Sequence, residues 1–142
     1  MTTEELIEKY IAGVAHPKGS DLCAVHHMVL QLYPGCELWF VDGKNEAGKI
    51  VANPNIGYGR QTLRYANGAT KEFYRVGISA NTTGISVYIL SLEDRAYLAQ
   101  TFGPTIGKAT VTGYCIKFKK LSDIELSVLE EAIRCGMEWR KG

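Results

Sequence analysis

Histidine, cysteine and carboxylate side chains supply most metal-binding and acid–base chemistry, and in this sequence they are scattered. All three histidines, His16, His26 and His27, precede residue 28. Cys23 and His27 stand four apart, so on a helix they share a face and can touch one ion. Two side chains are fewer than the three protein ligands that even an open zinc site takes. The pair therefore reads as a part-buried thiol beside a surface histidine. His26 and His27 are adjacent and project about 100° apart on a helix, so they do not chelate together. Glu4, Glu5 and Glu8 offer hard oxygen ligands, although carboxylates in a first helical turn are also expected from the helix dipole. Gly57-Tyr58-Gly59 has the look of a phosphate loop. A nucleotide fingerprint, however, needs a longer glycine-rich turn opening a helix, and here a strand follows. No nucleophile sits on a recognisable elbow beside a histidine, so no Ser-His-Asp or Cys-His machinery is expected.

The elements that would position these residues follow from periodicity. Thr2 and Glu5 have the spacing of a capping box, and Ile7, Tyr10, Ile11 and Val14 then recur at helical intervals. A second helix begins near Ser20, with Leu22, Val25, Val29 and Leu32 as its apolar stripe, and stops at Tyr33-Pro34-Gly35. Strands are expected at 38–41, 56–65, 72–79, 85–90 and 114–118, and the stretch 44–55 reads as a long loop. Asn67-Gly68 and Asn81-Thr82-Thr83-Gly84 are the turns. A short helix is expected over 92–101, closed by Gly103-Pro104, and a last helix capped by Ser122 with Glu125 completing the box. The fold class is therefore α+β: helices at both ends packed on one face of a four- to five-stranded antiparallel meander.

The chain's 142 residues make one domain that needs no staple. Its formal net charge of +1 lacks the basic excess of a duplex-binding module, so no nucleic-acid partner is expected. No apolar run is long enough to span a bilayer, and Met1-Thr2-Thr3-Glu4-Glu5 does not resemble the start of a signal peptide. The expected location is cytoplasmic, with Cys23, Cys36, Cys115 and Cys135 as reduced thiols.

Several segments in order carry a resemblance. They are Ile56-Gly57-Tyr58-Gly59 with Tyr65 and Gly68, Val76-Gly77-Ile78-Ser79, Ile85-Ser86-Val87-Tyr88, Gly107-Lys108, Gly113-Tyr114-Cys115-Ile116-Lys117-Phe118 and Leu121-Ser122-Asp123-Ile124. From about Ser20 to Met137 the chain resembles the YdhG-like family, whose members have no established catalytic residues. The segment after Trp39 departs from the Trp-Gly-Met-Pro-like run of many relatives. The resemblance implies a fold similar to that of frataxin. It also implies, as an alternative function, iron handling, for which Glu4, Glu5 and Glu8 would be the ligands.

Alternation along the strands points to a recognition surface. If Tyr74, Val76 and Ile78, then Ile85, Val87 and Ile89, then Tyr114, Ile116 and Phe118 face the helices, then Arg75, Tyr88 and Lys117 face away. Trp39 joins them. Aromatic and cationic side chains on an open sheet face have the composition of a binding surface. The leading expectation is a non-enzymatic binding or adaptor domain, monomeric or homodimeric, that needs no cofactor and meets a protein partner or small ligand on that face. A further alternative is an enzyme with a pocket near Tyr58 and Lys108.

Overall fold

The computed structural model describes residues 1–139. The fold is α+β. Helix α1 spans Thr3–Ala12, α2 Lys18–Leu32, α3 Tyr97–Ile106 and α4 Leu126–Glu138. Strands β1 (Leu38–Val41), β2 (Asn55–Tyr58), β5 (Val76–Ala80), β6 (Ile85–Ile89), β7 (Thr110–Val111) and β8 (Cys115–Phe118) form one antiparallel sheet ordered β1-β2-β5-β6-β8-β7. Strands β3 (Gln61–Arg64) and β4 (Thr70–Phe73) form a separate two-stranded ribbon.

The capping box at the start of α1 is formed. Thr2 Oγ1 accepts from the Glu5 amide at 3.1 Å, and Glu5 Oε1 accepts from the Thr2 amide at 3.3 Å. The expected stripe of α2 buries Leu22, Val25 and Val29. The helices lie on one face of the sheet, α1 against β1, and α2 and α4 against β5 and β6. The side chains directed at them are Ile56, Tyr58, Val76, Ile78, Ile85, Val87, Ile89, Ile116 and Phe118, all buried. They sit opposite one another in register, as in Ile56↔Ile78, Ile78↔Val87 and Val87↔Ile116. Close packing there is tight enough to demand glycine: a Cβ on Gly136 of α4 would lie 2.7 Å from Val76 Cγ2.

The sheet has six strands rather than four or five, because the unexpected edge strand β7 pairs with β8, and four other elements depart from the sequence expectation. The single strand expected over 56–65 is broken at Gly59, whose φ of 79° ends β2 and redirects the chain into the ribbon. The strand expected over 72–79 is broken at Tyr74-Arg75, where the chain returns from ribbon to sheet. Helix α3 starts five residues later than expected and runs through Gly103-Pro104 to Ile106, because Leu98, Phe102 and Ile106 anchor it in the core. Ser122 does not cap α4. The Glu125 amide bonds to the Ile106 carbonyl and Ile124 bridges Gly107, so 124–125 stay extended and the helix begins at Leu126 without a side-chain cap.

Candidate functional site

On the face away from the helices, one register row runs Trp39–Gly57–Gly77–Tyr88–Cys115 across five strands. Its two adjacent glycines leave a trough, and the Tyr74 ring fills it. A Cβ on Gly57 would stand 2.1 Å from Tyr74 Cδ2, and one on Gly77 would stand 2.6 Å from Tyr74 Cε1. The Tyr74 hydroxyl donates to Asn55 Oδ1 at 3.0 Å, and the residue is only 4% exposed. Tyr74 therefore lies on the face opposite the one expected, because the break at 74–75 resets the alternation. This face is partly roofed by its own chain. Asn81 Nδ2 donates to Ser86 Oγ at 2.6 Å and Ser79 Oγ to the Pro54 carbonyl at 2.7 Å, leaving both serines buried.

Tyr88 and Lys117 do share that face. They line a concavity of about 350 Å³ with Asn53, Asn81, Ser86 and Cys115. Burial pushes the Cys115 thiol and the Tyr88 phenol up, so both stay protonated near neutral pH. Trp39 is also on this side, half-buried, but it is occupied. Its Nε1 donates to the Gly59 carbonyl at 2.7 Å, its ring meets Phe73 edge-on, and the Arg60 guanidinium lies 4.9 Å above it. Arg60 also forms a forked pair with Glu37 at 3.0 and 2.7 Å. These contacts pin the base of the β3–β4 ribbon beside β1.

Arg75 is not on the open face. Its Nε donates to the Gly136 carbonyl at 3.0 Å and its NH2 group to the Trp139 carbonyl. Ser91 Oγ also donates to the Gly136 carbonyl, at 2.5 Å. Those carbonyls close α4, whose last turn carries no basic residue, so Arg75 and Ser91 satisfy its C-terminal end from outside. The predicted continuous patch of Arg75, Tyr88 and Lys117 is therefore not formed.

Tyr58 is fully buried under α2, its hydroxyl hydrogen-bonded to His26 Nδ1 at 2.6 Å. Burial, with His27 as a second contributor, pulls the His26 imidazole down to about 4. Lys108 is exposed beside edge strand β7. Four strand spacings separate β2 from β7, about 19 Å, so no pocket joins Tyr58 to Lys108. Glu4, Glu5 and Glu8 are exposed on α1, with Glu5 committed to the capping box. Among the described residues no three His, Cys, Asp or Glu side chains converge as a metal site. Cys23 and His27 do approach, with Sγ 3.9 Å from Nδ1, but no third donor joins them.

A further cavity lies elsewhere, and sequence reasoning missed it. At the end of the sheet where β6 finishes and β8 begins, a cavity of about 850 Å³ opens between the ribbon and the segment leading into α3. Gln61 to Arg64 form the ribbon wall; Leu90, Ser91, Leu92, Glu93 and Arg95 form the opposite one; Tyr114 and Trp139 complete it. Arg64 and Arg95 are both exposed at its rim. The only signal available beforehand was composition, since these residues come from segments well separated along the chain.

All four cysteines are unpaired, and no described helix is long and apolar enough to cross a membrane. Compared with protein-family models, with curated proteins and with solved structures, the chain gives no match.

Proposed function

We propose that this chain is a non-enzymatic binding domain that holds a small ligand in the cavity between the β3–β4 ribbon and the segment leading into α3. The observation that carries the reading is the cavity itself. Its volume of about 850 Å³ falls in the range of small-molecule sites. Its lining combines apolar side chains (Leu63, Leu90 and Leu92) and two aromatic residues with a larger set of polar and charged groups that can orient a ligand.

Binding is favoured over catalysis by the state of the candidate nucleophiles. Burial raises the thiols of Cys36, Cys115 and Cys135, which makes them poor thiolates. The one histidine tied to a tyrosine is in the core, away from any surface a substrate could reach. A second reading, recognition of a partner through the open sheet face, has one specific observation in its favour. Tyr88 and Lys117 line a common concavity with Ser86 and Asn81.

The test is native mass spectrometry of the protein purified from its own cells, followed by extraction and identification of any small molecule carried. Leu63→Trp, on the half-buried ribbon wall, fills the cavity. The wild type is expected to carry a ligand that this variant loses. A ligand retained equally by both would place binding outside the cavity.

A further inference from the structure

We infer that the ligand of this cavity is an oxyanion, a carboxylate or phosphate, carried on a planar aromatic or heteroaromatic ring. The inference rests on the cavity reading above and supplies the chemistry that reading leaves open. Three arginines line the cavity, Arg64, Arg75 and Arg95, against one glutamate, Glu93. This local excess stands out in a chain whose formal net charge is only +1.

The arginines divide into two roles. Arg75 is turned toward the carbonyls that end α4 and contributes wall only. Arg64 reaches the cavity from the ribbon and Arg95 from the opposite wall. Among the described residues the one ion pair is Arg60–Glu37, so neither Arg64 nor Arg95 is matched to a carboxylate there. Guanidinium groups present a rigid fork that fits a carboxylate or phosphate through two parallel N–H donors. Two such groups across a concave wall focus positive potential into the space between them. An oxyanion in the cavity would find one guanidinium on the ribbon side and one on the opposite side.

The rest of the lining selects the remainder of the ligand. Leu63, Leu90 and Leu92 give an apolar surface that an isolated inorganic ion would leave uncovered. Tyr114 and Trp139 stand in the same lining; the Trp139 ring packs against Tyr97 with centroids 5.4 Å apart, and Tyr114 is 56% exposed. Offset stacking or edge contact with a flat ligand ring would cover it. Thr62 and Ser91 add hydroxyl groups that can bond the ligand's polar substituents. A nucleic-acid duplex does not fit this description, because the basic residues are gathered in one concavity rather than spread along a face.

Isothermal titration calorimetry on the whole chain with three probes, benzoate, phenyl phosphate and the neutral isostere benzamide, tests this. Benzoate, phenyl phosphate or both should bind about tenfold or more tightly than benzamide, and the tighter of the two identifies the head group. The double variant Arg64→Met, Arg95→Met should weaken anion binding by roughly tenfold, with an unchanged unfolding midpoint. Benzamide binding as well as benzoate would overturn the anion class and leave the cavity reading standing. Anion affinity unaltered in the double variant would overturn the assignment of Arg64 and Arg95. Failure of all three probes at millimolar concentration would overturn the aromatic-oxyanion inference, while the small-molecule extraction would still judge the cavity itself.

Discussion

Acidification should destabilise this domain through one residue, His26. Its imidazole sits under α2 with Nδ1 2.6 Å from the Tyr58 hydroxyl, and it is only 8% exposed. Burial first, and the neighbouring His27 second, lower it from 6.5 to about 4. The folded protein thus refuses a proton that the unfolded chain accepts once the pH drops below 6.5. Stability is therefore fully present above that value and is lost progressively as pH falls toward 4. At about 1.4 kcal/mol per pH unit, the loss reaches about 2.5 kcal/mol near pH 4.5. That is a large part of the margin of a domain this size. His26→Gln removes the titration and keeps a hydrogen-bonding group toward Tyr58. Urea unfolding of both proteins at a series of pH values isolates the effect, since every other side chain is common to the two. The wild type should lose about 2.5 kcal/mol more than His26→Gln between neutral pH and about pH 4.5. Stability profiles that run parallel would refute the reasoning and show that His26 takes up its proton in the folded state as easily as in water.

Other expectations follow from packing and capping. Gly77→Ala should destabilise by about 1–3 kcal/mol in chemical denaturation, because its Cβ would stand 2.6 Å from the Tyr74 ring; an unchanged midpoint would mean that Tyr74 does not rest on the sheet. Thr2→Ala should cost about 1 kcal/mol by breaking the capping box. Ser122→Ala should stay within about 0.5 kcal/mol, since that exposed hydroxyl caps nothing. Equal losses in the two variants would contradict the observed start of α4.

The helices and the turns were legible because their signals are local. Leu22, Val25 and Val29 repeat at the helical period, and Gly68 sits at φ 87° in the turn that Asn67-Gly68 announces. The ribbon was not legible, because nothing in the composition of 56–65 distinguishes a strand that continues from one that leaves its sheet after Gly59. The consequence reached the face assignment. Alternation correctly placed Tyr88, Lys117 and Trp39 away from the helices, since each lies within an unbroken strand or its register. It failed at Tyr74 and Arg75, which occupy the irregular joint between β4 and β5, and at Tyr114, which precedes β8 and is exposed beside Tyr88 and Lys117 rather than under the helices. Ser122 failed for a tertiary reason: a bridge from Gly107 to Ile124 keeps extended the residues that local propensity would coil. The buried His26–Tyr58 contact spans 32 positions and the cavity joins still more distant segments. Neither leaves a mark in any window of neighbouring residues.

Amide shift mapping by NMR, with a nitrogen-15-labelled chain titrated with phenyl phosphate, asks most directly where this domain binds. Shifts gathered on 61–64, 90–95 and Tyr114 are the result expected of a ligand in the cavity. Shifts gathered instead on Ser86, Tyr88 and Lys117, or along α1 at Glu4 and Glu8, would contradict it and move the site to the open sheet face or to the first helix.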